Sequence, residues 1–194
     1  MSKVKVIDCE STGLLPHPIH GHPQVIELAE ISLSGYAPRD LLAFDSWETF
    51  PIEVRKFFPS MPIHPEATKI HGYEEKDLVG FPSSESLIYD LPDITIGHNI
   101  SYDLRCLNEK GASSICTMTL FKKLNKNMQL GLENCKADYL VEKFFPEEAK
   151  TLIKQQHNAS DDCLKVILLL KKITQLCPKI FTWREMQELQ QKLK

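Results

Sequence analysis

The stretch VKVIDCESTGLLP, residues 4–16, decides how the rest of the chain is read. Val4, Val6 and Ile7 describe a buried strand, yet the strand ends on two carboxylates, Asp8 and Glu10, just ahead of a turn glycine. Two positions apart on an extended chain, they point to one face. Like charges placed together at the end of a core strand repel each other and lose hydration, so something positive must offset the cost. Lysines, arginines or a divalent metal ion would serve. No basic residue stands between Lys5 and Arg39, which weighs against a merely structural pair neutralised by a sequence neighbour.

Around this stretch lies an ordinary globular chain: 194 residues, 42% hydrophobic and 25% charged, the size of one domain. No apolar run approaches the ~18 residues of a membrane span, and MSKVKVIDCE enters a strand at once with no signal-peptide core. Six cysteines without a CxxC pair argue against a disulfide framework or a zinc site, and a reduced, cytoplasmic setting is expected. The net charge of −3 tells against a simple electrostatic nucleic-acid binder, which would be basic overall. It leaves open an enzyme that meets phosphates through metal ions and a local basic patch.

A loop rich in proline and histidine (16–23) leads to QVIELAEISLSG, a second strand ending at Gly35, and LLAFDSWETF (41–50) reads as a third. Residues 59–72 hold three prolines and are mostly loop, with a short helix at 65–70. SSESLIYDL (83–91) reads as a serine-capped helix, ITIGHN (94–99) as a buried strand, and SYDLRCLNEKG as a helix stopped by Gly111. Apolar spacing at i, i+3 and i+4 predicts helices in MTLFKKL, LENCKADYLVEKF and DDCLKVILLLKKITQL, the last ended by Pro178. Early strands and late helices indicate an α/β domain with a mixed sheet. Residues 1–178 form the domain, and 179–194 a terminal helix packed on it through Trp183, Met186, Leu189 and Leu193.

Two further segments supply acids. Asp103 opens the helix after the ITIGH strand, and Asp161 and Asp162 open the long apolar helix, with His157 five residues before Asp162. Acids in a helix's first turn also complement the macrodipole, which by itself would explain Asp161 or Asp162. It does not explain Asp8 and Glu10. The chemistry that uses four such carboxylates is two-metal phosphodiester hydrolysis, with two Mg²⁺ or Mn²⁺ ions ~3.5–4 Å apart. Asp8 would bridge both ions, Glu10 and Asp162 would complete one shell, Asp103 would hold the second ion, and His157 would act as general base. His98 reads as a structural histidine. His17, His20 and His22 lie in a loop with no acid or cysteine nearby and are not read as ligands, and His64 looks incidental. Lys122, Lys123 and Lys126 form either a phosphate-steering cluster or a solvated helix face. Phe121 and Leu124 read as core.

The motifs VIDCESTGL, GHNISYD and HNASDD, in that order, resemble the three motifs of the DEDDh (DnaQ-like) 3'→5' exonucleases, and PIHPEATKIHGYEEKDL is similar to a further segment of that family. ICTMTLFKKL (115–124) is similar to its exodeoxyribonuclease X branch. The resemblance spans residues 4 to about 170; Ser11 stands where the family usually has threonine. It implies a ribonuclease H-like fold, a mixed five-stranded sheet flanked by helices, with the acids at the strand ends. It also implies that Leu14 wedges against the terminal base, that Ser11 and Thr12 contact the terminal nucleotide, and that Glu66 and His71 meet its sugar and phosphate.

The expected activity is metal-dependent release of nucleoside 5'-monophosphates from single-stranded DNA with a free 3' end. The alternatives on the same fold are an RNA 3'-trimming exoribonuclease or oligoribonuclease and a polymerase-associated proofreading subunit. From another class stands a non-catalytic nucleic-acid-binding module, which loss of an acid would have favoured; none is lost. A homodimer is compatible with the sequence, and no membrane partner is expected.

Overall fold

The structure, a computed structural model, describes residues 2–14, 21–44, 50–109, 111–154 and 157–193. Five strands form one sheet in the order β3-β2-β1-β4-β5: β1 (Val4–Ser11), β2 (Val25–Ser32), β3 (Ile52–Lys56), β4 (Ile94–Gly97) and β5 (Ser114–Cys116). The β1–β2 and β2–β3 pairs are antiparallel, whereas β1–β4 and β4–β5 are parallel. The stretch that opened the reading is thus the central strand. This is the mixed five-stranded sheet with flanking helices expected of a ribonuclease H-like fold.

Among the described residues, seven α-helices surround the sheet: α1 (Pro65–His71), α2 (Ser101–Cys106), α3 (Thr117–Met128), α4 (Ala137–Phe144), α5 (Pro146–Leu152), α6 (Ala159–Leu176) and α7 (Trp183–Lys192). The period-2 pattern of β1 sorts its side chains between two cores. Val4 and Val6, with Ala29 and Ile31 of β2, face the large core built on α6, while Ile7, Cys9 and Leu28 face a smaller one that includes Leu104 and Leu107. α6 is buried nearly all round, as its apolar run LKVILLL requires. Trp183 and Met186 of α7 pack into the large core, with Leu189 and Leu193 against it. Lys123 donates to the carbonyls of Gln190 (2.6 Å) and Leu193 (2.7 Å) at the end of α7, so it is spent on a helix terminus and withdrawn from any phosphate-steering cluster.

Three expectations are corrected. Residues 41–50 do not form the third strand: Pro38–Ala43 is a 3₁₀ turn, 45–49 lie outside the described residues, and β3 follows at Ile52. The turn starts on Pro38 and is closed by Asp40, which accepts from the Ala37 amide at 2.6 Å. The helix read over 83–91 is a single 3₁₀ turn, Ser84–Ser86, after which the chain extends. Pro92 disfavours helix in the residue before it, and Leu87 and Tyr89 pack on the smaller core with Ile88 between them 85% exposed, the alternation of an extended chain and not of a helix. The helix expected from Leu132 begins only at Ala137. The Asn125 side chain binds both the amide and the carbonyl of Leu132 at 3.0 Å, holding that segment out of helix. Histidines 17 and 20 lie outside the described residues, and the six cysteines are free thiols. Among the described residues, no helix is long and apolar enough to cross a membrane.

Candidate active site

Asp8 follows Val6 on the α6 face of β1, and Glu10 follows Asp8. Opposite Glu10 in the ladder stands Glu27 of β2, and the register slips between Glu10 and Ser11, a bulge that re-aims the end of the strand. The first turn of α6 brings Asp162 to the same place. Its cap is Asn158, which accepts from the Asp161 amide at 2.8 Å. One carboxylate oxygen each from Asp8, Glu10 and Asp162 lies within 4.8 Å of the others. Asp103, buried in α2, approaches from the far side and accepts from the Cys9 amide at 3.0 Å. Four acids from three elements therefore converge, three of them ready to share one ion and the fourth bonded to the backbone between the first two.

The electrostatics register the crowding. Burial, then Asp103, Asp162 and Glu10, pushes Asp8 well above the ordinary carboxylate range. Burial, followed by Asp162 and Glu27, lifts Glu10 to about 7. Burial lifts Asp103 to about 8 against the pull of the Cys9 amide. Asp162 alone goes the other way: burial would raise it, but His157 and Lys165 outweigh burial and hold it low. His157 Nδ1 lies 3.1 Å from Asp162 Oδ2, and its Nε2 is 3.7 Å from Asp138 of α4. The bond to Asp162, ahead of a smaller burial effect, raises the histidine above its usual range. Its backbone amide donates to Ile70 at 2.9 Å, tying the approach to α6 onto α1.

Lys165 and Asp138 were not singled out in the sequence. Lys165 stands one turn after Asp162, almost fully buried, with Nζ 2.7 Å from both Asp162 Oδ1 and Asp138 Oδ1. A lone lysine inside CLKVILLL was the available signal; nothing marked Asp138. The neutralising base absent between Lys5 and Arg39 thus arrives from the other end of the chain. It supplies one positive charge to four crowded acids.

The residues expected to meet substrate are only partly assembled. Thr12 is buried, its hydroxyl accepting from the Gln24 amide at 2.9 Å. Ser11 is buried too, its hydroxyl bonded to that of Tyr102, which donates to the Gly13 carbonyl at 2.6 Å. These bonds pin the turn that presents Leu14, which is 58% exposed. His71 is buried: its Nδ1 accepts from the Tyr73 amide at 3.0 Å, so its Nε2 carries the proton and donates to the Ser11 carbonyl at 3.2 Å. Burial lowers its pKa. Glu66 sits exposed in the first turn of α1, paired with Lys69 at 2.6 Å, outside the convergence. His64 is not incidental: its ring caps α1 and its amide donates to Thr12 at 2.7 Å. His98, bonded to Thr117 at 2.9 Å and pushed down to about 4 by burial, fits the structural reading.

A cleft of about 830 Å³ opens beside His157, lined also by His71, Tyr73, Lys154 and Asn158. A smaller hollow of about 50 Å³ lies beneath Leu14 between Glu10, Tyr102 and His71. The RNase T exonuclease family matches residues 6–170. This chain belongs to that family. Its fold is similar to that of an exonuclease X in complex with 5' overhanging duplex DNA, at 23% identity and a TM-score of 0.67, covering 96% of this chain and 99% of that one. It is also similar to the zinc-bound E. coli exonuclease I–single-stranded DNA complex, at 14% identity and a TM-score of 0.67, covering 92% of this chain. This exonuclease spans 42% of that longer chain. No curated protein matches in sequence.

Proposed function

We propose that this exonuclease is a divalent-metal-dependent 3'→5' enzyme of the DEDDh type that releases nucleoside 5'-monophosphates from single-stranded DNA ends. The observation that carries the reading is the convergence of Asp8, Glu10 and Asp162 within one ion's reach, with His157 bonded to Asp162 at the mouth of the cleft. The donor set fits the cofactor. All three ligands are carboxylate oxygens, the hard donors that Mg²⁺ and Mn²⁺ prefer. Two of the three are lifted by burial and then by their acidic neighbours, a strain that a dication relieves. Asp103 would hold a second ion together with Asp8. Bound there, the ions would supply a Lewis acid and charge neutralisation at the scissile phosphate.

The chain's own residues do the rest. Asp162 takes the Nδ1 proton of His157 in hydrogen bond, which fixes the tautomer and leaves Nε2 to draw a proton from the attacking water. Asp138, 3.7 Å from Nε2, then stabilises the imidazolium. Leu14, on a turn held by Tyr102 and Ser11, is placed to stack on the terminal base, and Lys154 on the cleft wall, paired with Asp161 in the free protein, would exchange that partner for a phosphate. The DNA complexes among the similar structures support the choice of DNA over RNA.

The test is a time course on 5'-labelled single-stranded DNA, matched RNA and DNA blocked at its 3' end, with Mg²⁺ and with EDTA. The expected result is a ladder shortening from the 3' end of DNA alone, abolished by the block and by EDTA. Preferential shortening of RNA would move the enzyme to the trimming class. Mn²⁺ uptake with no cleavage of any substrate would leave a binding module or a subunit lacking its partner.

A further inference from the structure

Most lysines keep the ammonium in water, and Lys165 does not: its side chain is 2% exposed, in a helix whose neighbouring positions carry Leu164, Val166 and Ile167. An apolar side chain would fill the seam between α6 and α4 at less cost in hydration. The ammonium is retained between two carboxylates, 2.7 Å from Asp162 Oδ1 and 2.7 Å from Asp138 Oδ1. Since His157 holds Oδ2 of Asp162, both oxygens of that carboxylate are partnered before any ion arrives. An ion shared by Asp8, Glu10 and Asp162 must therefore compete with Lys165 for the third ligand. Asp138 gives the ammonium somewhere to stay, since after surrendering Asp162 it still has a carboxylate at hydrogen-bond distance.

Resting on the metal-dependent reading above, we propose that Lys165 is a resident counter-cation of the carboxylate centre, a positioning residue that holds Asp162 and Asp138 in the metal-free protein and lowers the affinity of the incoming dication. Its charge stands in for part of the ion's, keeping the acids assembled before binding. It opposes the ion once binding begins. The two roles act in opposite directions on the metal-free and metal-bound states, and that separates them from simple packing.

The experiment is Mn²⁺ titration calorimetry, at one pH and ionic strength, on the whole chain and on Lys165→Gln, Lys165→Met and Lys165→Arg, with melting of each metal-free protein alongside. Gln keeps a hydrogen-bond donor without the charge; Met keeps the bulk without either. Removal of a competing unit charge a few ångströms from the ion is expected to tighten Mn²⁺ binding at least about tenfold in both neutral variants. Their metal-free forms should melt lower, and Lys165→Arg should bind as the unaltered chain does. If Met disrupts folding, Gln alone carries the comparison. If Gln folds but melts too low for calorimetry, a larger Mn²⁺-induced rise in melting temperature than in the unaltered chain is the same supporting result. Unchanged or weaker Mn²⁺ binding by a folded Lys165→Gln overturns the proposal and leaves the metal reading standing. An unaltered chain that takes up no Mn²⁺ overturns both together.

Discussion

Strand β2 carries two buried glutamates on opposite faces of the sheet, and they meet opposite fates. Glu30 is bound by Lys5 at 2.8 Å and by Arg55 at 2.8 Å, cross-strand neighbours that complete its charge from both sides. Glu27, three residues earlier, faces Glu10 across the ladder and is bonded to the Tyr73 hydroxyl. Beyond it lie Asp8 and Asp162, with Asp103 reaching in from the far side and Lys165 as the buried lysine among them. One buried acid has two bases; on the other face several acids share little positive charge. A carboxylate buried for structure is closed off by its partners. A carboxylate cluster left short of positive charge is a place prepared for something that arrives from solution.

Four changes break or sharpen this contrast. The largest effect is expected from Asp8→Asn, which removes the central acid. Exonuclease activity should fall by about 10³-fold or more, since metal stabilisation worth several kcal/mol is forfeited, while the metal-free protein melts no lower than before. A variant with near-normal turnover would refute the assignment of Asp8. His157→Ala should cost about 10²–10⁴-fold in kcat, the range of a lost general base, with Mn²⁺ uptake retained; loss of uptake instead would make His157 a ligand. Glu30→Gln on the opposite face should reverse the pattern. It should lower stability by about 2 kcal/mol, because Lys5 and Arg55 remain partly solvated, and leave kcat unchanged. A catalytic defect there would show that the two faces are coupled.

The fourth change is one of pH. Glu10 rises from 4.5 to about 7 and Asp103 from 3.8 to about 8 on folding. An acid whose pKa is raised in the folded state binds more protons folded than unfolded, so its contribution is full below the unfolded value and declines as pH climbs through the folded one. The metal-free protein should therefore lose stability between about pH 4 and 8, and Mg²⁺ should stabilise it more at pH 8 than at pH 5.5, read as melting temperatures with and without the ion. A flat metal-free profile would mean that the acids are relieved in some other way.

How much of this was readable beforehand follows the strength of local signals. β1 and α6 could be read because their apolar patterns are unbroken and their acids stand at the ends of them. The convergence of Asp8 with Asp162 could be named only through ordered motifs, since no spacing in one segment specifies a contact over so many residues. Residues 41–50 and 83–91 were misread for the opposite reason: each is short, with apolar residues that suit several conformations. The deciding contacts, Asp40 on the Ala37 amide and Pro92 after Leu91, are turn chemistry. Lys165 was overlooked because a charge inside an apolar helix gives no hint of what it will face. Its partner, Asp138, comes from a helix that begins later than its apolar spacing suggested.

The central position of β1 has one more consequence. With β2 bonded along one edge and β4 along the other over Val4–Val6, the amides of this strand should be among the last to exchange with deuterium. His157 is fastened to its surroundings by a backbone bond to Ile70 and by its ring, and it can leave through a much smaller fluctuation. On warming, the two halves of the site should therefore part company: cutting should stop while Asp8 and Glu10 still stand in their ladder, leaving for a few degrees a protein that grips its ion and does nothing with it.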